Sequence, residues 1–84
     1  MSRQGTIAFI DREQSAAAIR TDTGEYTIVE LDVALPMDVG DAIEWDDDTL
    51  GFEIYLNRSK NIEYEVFVQN HHLDESTLRL QFAV

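Results

Sequence analysis

Residues 62–68, Ile-Glu-Tyr-Glu-Val-Phe-Val, alternate apolar side chains with glutamates over most of their length. They follow the turn-like residues 58–61, Arg-Ser-Lys-Asn, and before these lies a second alternating segment, residues 52–57, Phe-Glu-Ile-Tyr-Leu-Asn. An apolar period of two is typical of a β-strand with one buried face, and turn residues between two such runs indicate a chain reversal. The sequence therefore predicts two strands joined by a turn.

The same pattern continues towards the N-terminus, where further strands are predicted at residues 6–10, 16–21, 26–31 and 42–45. Asp22-Thr23-Gly24 suits a short hairpin, because glycine readily adopts positive φ. Alanines 16 to 18 favour a helix by propensity, but their run is too short and turns close it on both sides. Residues 32–40 hold the only proline and predict a connecting loop, with room for one short helical turn.

Two interpretations stay open for the end of the chain, residues 71–84. In the first, the alternation of Leu78, Leu80 and Phe82 indicates a seventh strand. In the second, the segment is a loosely attached terminus. Many short strands with closely spaced turns predict an all-β sandwich or barrel, and this length favours a small barrel. We predict a single barrel over residues 1–70 and a tail over residues 71–84.

Composition and charge set limits on the class of protein. The 84 residues are 44% apolar, contain no cysteine and carry a net charge of −11. Between Arg20 and Arg58 there are eleven acidic side chains and no lysine or arginine. Such charge favours a soluble monomer and repels nucleic acid and anionic lipid. With no apolar run of about 18 residues and no apolar leader, we expect a cytoplasmic protein without membrane contact.

Several segments share their residue pattern with one known family. Residues 5–11, Gly-Thr-Ile-Ala-Phe-Ile-Asp, resemble the opening strand of bacterial cold-shock domains, Gly-Thr-Val-Lys-Trp-Phe-Asn. Residues 15–21 and 27–31 stand where the family has its two RNA-binding motifs, and residues 39–45 resemble the entry to its fourth strand. The resemblance implies an OB barrel whose second and third strands bind oligonucleotides. The predicted fold is thus a small OB-type, cold-shock-like antiparallel β-barrel with an extra C-terminal strand and tail.

The chain departs from this family where the family binds nucleic acid. Ala16 and Ala18 replace the two phenylalanines of the first motif, and Ile28, Glu30 and Leu31 replace the Phe, His and Phe of the second. Single-strand binding needs aromatic rings, worth about 1–3 kcal/mol per stacked base, and a basic groove. These replacements remove the rings from the face that the resemblance assigns to RNA.

We therefore expect a non-catalytic binding module whose partner is another protein with a basic surface; nucleic-acid mimicry is a special case of this. The predicted binding face consists of Phe9, Ala16, Ala18, Ile28, Glu30 and Tyr55. The alternative is weak binding of single-stranded RNA or DNA. It would use Phe9, Tyr26 and Tyr55 to stack bases, and Arg12, Arg20, Arg58 and Lys60 to contact phosphates.

Alternation also assigns side chains to the two faces of the sheet. The residues predicted to point inward are Ile7, Ile19, Val29, Ile43, Ile54 and Leu56, and Trp45 is predicted to lie in the core. Ala8 is predicted to share the outward face of the first three strands with Ala16, Ala18, Ile28 and Glu30. Tyr55 and Phe67 share faces with polar residues, so they are predicted to lie outward, where the tail covers them or they anchor an interface.

No pattern in the sequence predicts catalysis, a cofactor or a metal. Asp46, Asp48 and Gly51 fit part of a calcium loop, but Leu50 and Asn57 occupy positions that need ligands, so a solvated turn is the prediction. His71 and His72 are adjacent and would point to opposite faces of a strand. No serine has a base positioned by the sequence, so we expect no enzymatic activity.

Overall fold

The computed structural model describes residues 3–46 and 50–82. Its elements are β1 (Arg3–Asp11), β2 (Ala16–Thr21), β3 (Tyr26–Glu30), β4 (Ala42–Trp45), β5 (Gly51–Asn57), β6 (Ile62–Leu73) and α1 (Glu75–Phe82). All six predicted strands are present, which confirms the all-β prediction. The predicted boundary at residue 70 falls inside β6.

The strands close into one antiparallel barrel. Their order is β1-β2-β3-β6-β5-β4, and β4 pairs with β1 to complete the cylinder. Two three-strand meanders therefore join along two seams, β1 with β4 and β3 with β6. This confirms the prediction of a small β-barrel and is compatible with an OB-like fold.

β1 has to pair with two neighbours at once, and its local structure makes this possible. Its register against β2 shifts between Ile7 and Phe9, so Ala8 is an extra residue in the ladder. Such a bulge bends a strand and increases its twist. Before the bulge, Gly5 lies so close to β2 that a Cβ atom would come within 2.6 Å of the carbonyl oxygen of Arg20. A residue without a side chain thus lets β1 pack between β2 and β4.

The barrel interior is filled by apolar and aromatic side chains from all six strands. The predicted inward residues Ile7, Ile19, Val29 and Ile43 are buried there. Trp45 is also buried, as predicted, and its ring stacks on that of Tyr55 at 4.8 Å. Below about 100 residues a core is small, so each of these contacts is a large fraction of the stability.

The predicted orientation of β5 is wrong. Tyr55 is buried in the core, whereas Ile54 is exposed and Leu56 is half-buried. Both faces of β5 carry large apolar or aromatic side chains, so alternation alone does not decide which face turns inward. Stacking of Tyr55 on Trp45 and the buried hydrogen bonds of Asn57 decide it.

Asn57 connects three parts of the chain inside the barrel. Its side-chain amide donates to Asp41 Oδ2 at 2.8 Å and to the hydroxyl of Tyr64 at 2.9 Å, and its Oδ1 accepts from the backbone N–H of Lys60 at 2.9 Å. The Tyr64 hydroxyl donates in turn to the carbonyl of Pro36. The connecting loop is thereby fixed to the β5–β6 turn by hydrogen bonds that are buried or partly buried.

The Asp41 carboxylate is held in its charged form by this network. Desolvation by burial would raise its pKa, but hydrogen bonds from Asn57, Lys60 and the Asp38 backbone outweigh that effect. The pKa of Asp41 therefore lies below 3.8, the ordinary value for aspartate. Lys60 Nζ lies 3.0 Å from Asp41 Oδ2 and 2.8 Å from Asp38 Oδ2.

We expect the free energy of unfolding to depend on pH through the charge of the Asp41 carboxylate. A carboxyl group with a lower pKa in the folded state contributes stability above its unfolded pKa and loses it as pH falls through the folded value. The difference in free energy of unfolding between wild type and Asp41→Asn should therefore be largest near neutral pH and shrink below about pH 4. Urea unfolding at stepped pH, followed by Trp45 fluorescence, measures this difference. A gap that stays constant down to about pH 3 would contradict the assignment.

Within the predicted tail, residues up to Leu73 continue β6 and Glu75–Phe82 form the helix α1, which is neither a seventh strand nor a loosely attached terminus. Asp74 Oδ1 accepts from the backbone N–H of Thr77 at 2.8 Å, which is the bond of a helix N-cap. Glu75 and Arg79 pair at 3.0 Å across one turn. Leu78 is fully buried, whereas Leu80 is 85% exposed. Residues two apart lie on nearly opposite sides of a helix, so the alternation that suggested a strand arises from a single buried leucine.

Candidate functional site

α1 covers most of the face that the sequence predicts for binding. Ala16, Ala18 and Ile28 are buried in a second apolar cluster with Leu78 and Tyr26. Ala8, Phe9 and Leu73 pack against the edge of this cluster. The alanines leave room above β2, and the helix fills it. These side chains do lie outside the barrel, as predicted, but the chain itself occupies the surface that they form.

The remaining residues of the predicted face are dispersed. Phe9 is half-buried, with its ring centre 6.5 Å from that of Tyr26. Glu30 is exposed at the end of β3, and Tyr55 lies in the core. Tyr55 therefore contributes neither to a docking face nor to base stacking, and the prediction that it does is wrong.

Most of the cations assigned to the nucleic-acid alternative already contact acceptors of the protein. Arg12 donates to the carbonyl of Val33 at 2.7 Å, Arg58 to Glu44 at 3.2 Å, and Lys60 to Asp38 at 2.8 Å. Arg20 and Arg58 line one open cleft beside β1 and β4, and Asp22 and Glu44 line it with them. Carboxylates thus accompany the two arginines, and the cleft is not a continuous basic track.

The outer side of β5 and β6 carries an uncovered apolar patch that sequence reasoning missed. Phe52 is 76% exposed, Ile54 is 53% exposed and Phe67 is 40% exposed. Phe52 and Phe67 are direct cross-strand partners, and their rings meet edge to face at 5.0 Å and 78°. We call these three residues the β5–β6 surface. Of the two predictions for Phe67, covering by the tail is wrong for the described part of the tail, because Leu78 of α1 packs in the other cluster instead.

Carboxylates surround this surface. Phe67 has Glu30 opposite it on β3, and Glu65 lies two residues away on the same face of β6. Glu65 is also the cross-strand partner of Ile54. Neither β5 nor β6 contains a lysine or arginine. The local potential is therefore negative, with no cation on the two strands to offset it.

A shallow depression opens beside the two phenylalanines. Its lining consists of Ser15, Glu30, Leu31, Phe52, Glu65, Val66 and Phe67. Leu31 and Val66 are buried and belong to the barrel core, so the apolar side chains that the depression presents to solvent are those of Phe52 and Phe67, and Glu30 and Glu65 are exposed beside them. The depression thus combines an aromatic wall and two carboxylates.

The histidines and the acidic turn do not assemble into a metal centre in the part of the chain that the structure describes. His71 Nδ1 lies 2.9 Å from Thr27 Oγ1, and His72 Nδ1 lies 3.2 Å from Glu25 Oε1. Across residues 3–46 and 50–82, no group of three or more His, Cys, Asp or Glu side chains is placed to hold a metal ion. The partial calcium-loop pattern runs through residues 47–49, which lie outside the described residues.

Comparison with protein-family models, with curated proteins and with solved structures found no match. The similarity to cold-shock domains is therefore a resemblance of sequence segments, and the class that the structure defines is a small closed antiparallel β-barrel with a C-terminal helix. No helix among the described residues is long and apolar enough to cross a membrane.

Proposed function

We propose that this protein is a non-catalytic binding module and that it docks another protein, one with a basic surface, on the β5–β6 surface. The observation that carries the proposal is the cluster of three large apolar side chains held outside a closed barrel and bordered by glutamates. Isolated exposed apolar residues are ordinary, but a contiguous patch with a polar rim is typical of an interaction site.

The energetics of the surface suit docking of moderate strength. Full burial of a Phe or Ile side chain contributes about 1.5–3 kcal/mol, and all three side chains of the surface still expose area that a partner can cover. The surrounding carboxylates add little affinity once paired, but they accelerate encounter with a basic partner and disfavour an acidic one. Apolar contact would therefore supply affinity, and charge would supply selectivity.

The resemblance to cold-shock domains is consistent with a shared scaffold and a different ligand. In this proposal the barrel is cold-shock-like, and the face used for RNA in that family is filled by α1. Phe52 offers a ring on which a base can stack, but Glu30 and Glu65 beside it would repel phosphate. Weak single-strand binding is thus the rival function, and mimicry of nucleic acid by the acidic surface is the special case in which the partner is itself a nucleic-acid-binding protein.

Quantitative capture with matched variants tests the proposal. Wild type, Phe52→Ala and Leu80→Ala are immobilised separately and exposed to the same cell extract at low salt. Both variants remove an exposed large apolar side chain, and only the first removes it from the β5–β6 surface. We expect basic proteins whose retention falls about tenfold or more with Phe52→Ala and is unchanged with Leu80→Ala.

A titration with a labelled oligothymidylate distinguishes protein docking from the rival function, weak binding of single-stranded nucleic acid. The proposal expects no saturable binding at low ionic strength, since the surface lacks cations. Micromolar binding that weakens steeply with salt would favour the rival. Retained proteins that respond equally to both variants would contradict docking on the β5–β6 surface.

A further inference from the structure

We infer that the depression beside Phe52 and Phe67 is a specificity pocket for one lysine or arginine side chain of the docked protein. This inference rests on the proposed function and names the part of the partner that the surface selects. The expected ligand is a cationic side chain because the lining places an aromatic wall beside two carboxylates.

Strand register fixes the geometry of this pocket. Phe67 lies at its centre, with Phe52 across the ladder on β5 and Glu30 across the ladder on β3. Glu65 lies along β6 on the same face, about 7 Å away at the usual strand rise. Phe67 therefore has one carboxylate across the ladder, that of Glu30, and another along its own strand, that of Glu65.

The aromatic pair supplies the wall against which a cation can lie. The rings of Phe52 and Phe67 meet edge to face at 5.0 Å, and Phe52 is the more exposed of the two, so its ring offers the larger area to a cation. A lysine or arginine stem packs on apolar surface while its charged end stays in water, and a cation near a ring face gains a further attraction.

The carboxylates of Glu30 and Glu65 differ in how they are held. Glu30 Oε1 already accepts a hydrogen bond from the side-chain amide of Gln69. This contact fixes the Glu30 carboxylate at the β3 side of the depression. Glu65 lies on the other side, on the face that it shares with Phe67. We therefore assign Glu65 as the carboxylate that meets the partner's cation.

Glu63 provides a matched control within the same strand. It is exposed on the same face of β6 as Glu65, but its cross-strand partner is Leu56 and it does not line the depression. Glu65→Gln and Glu63→Gln therefore change the net charge by the same amount, but only Glu65→Gln removes a carboxylate from the pocket. A general electrostatic effect alters both variants to the same extent, whereas a pocket effect is confined to Glu65.

The test uses two helical probe peptides of leucine and glutamine that differ at one central position, lysine in one and norleucine in the other. Their dissociation constants for wild type, Glu65→Gln and Glu63→Gln are measured by fluorescence anisotropy. We expect the lysine peptide to bind wild type about fivefold more tightly than the norleucine peptide. The ratio should fall to about two in Glu65→Gln and stay near five in Glu63→Gln. Repeating the series with arginine shows which of the two cationic groups the pocket prefers.

The outcomes separate this inference from the proposed function. If both peptides bind wild type equally and Phe52→Ala weakens both, docking stands and the cation pocket is wrong. If the ratio falls equally in Glu65→Gln and Glu63→Gln, the preference is long-range electrostatics and the pocket is again wrong. If neither peptide binds wild type, both the pocket and docking of an apolar segment on this surface are contradicted.

Discussion

Asn57→Ala is expected to lower the free energy of unfolding by about 3 kcal/mol. The change removes both hydrogen bonds to Asp41 and Tyr64 and leaves the backbone N–H of Lys60 without its acceptor. A buried polar group that loses its partner costs about 1–3 kcal/mol, and more when the group is charged, as Asp41 is. Urea unfolding followed by Trp45 fluorescence measures the effect.

Asn70 provides the control for this prediction. Its amide donates to Gln81 Oε1 at 3.3 Å near the protein surface, so Asn70→Ala is expected to change stability by no more than about 0.5 kcal/mol. Equal effects of the two substitutions would show that Asn57 neither holds the connecting loop to the β5–β6 turn nor determines the orientation of β5.

Leu78→Ala is expected to detach α1 from the barrel. Leu78 is fully buried against Ala16, Ala18, Tyr26 and Ile28, and removing a buried leucine costs about 2–5 kcal/mol. An eight-residue helix is only marginally stable without tertiary contacts. The decrease in the free energy of unfolding therefore cannot exceed the free energy with which α1 docks on the barrel. We expect a decrease of about 2–3 kcal/mol and faster amide exchange throughout α1.

Leu80→Ala makes the same chemical change on the same helix. Because Leu80 is 85% exposed, we expect its effect to stay within about 0.5 kcal/mol, with exchange in α1 unchanged. Equal exchange in the two variants would contradict the coverage of the β1–β3 face by α1. That result would also return the face of Ala16, Ala18 and Ile28 to consideration as a binding surface.

The architecture was accessible from sequence because most strands have one clearly apolar face. Ile7, Ile19 and Ile43 lie in the core as predicted, since each is flanked by polar or small residues that fit the outside; Val29 also lies in the core as predicted, although Ile28 precedes it. β5 is different because Phe52, Ile54 and Leu56 on one face look as suitable for burial as Tyr55 on the other. The choice depends on partners distant in sequence, and no local pattern contains that information.

The predicted position of the binding face differs from the structure for a similar reason, because it too depends on a part of the chain distant in sequence. In the sequence, the small side chains of Ala16 and Ala18 indicate a platform without rings, but they equally create the space that a helix needs. A local signal for that helix was present, since Asp74 followed by Glu75 and, one turn later, Arg79 is a typical helix start with a charge pair. The exposed surface around Phe52 could not be recognised until the orientation of β5 was known.

Amide chemical-shift mapping of the labelled protein during titration with the lysine probe peptide locates the docking surface directly. We expect the shifts to concentrate at Phe52, Ile54, Glu65 and Phe67, and we expect Phe52→Ala to abolish them while Leu80→Ala does not. Shifts confined to α1 and the β1–β3 face, or to the cleft that Arg20 and Arg58 line, would contradict docking on the β5–β6 surface.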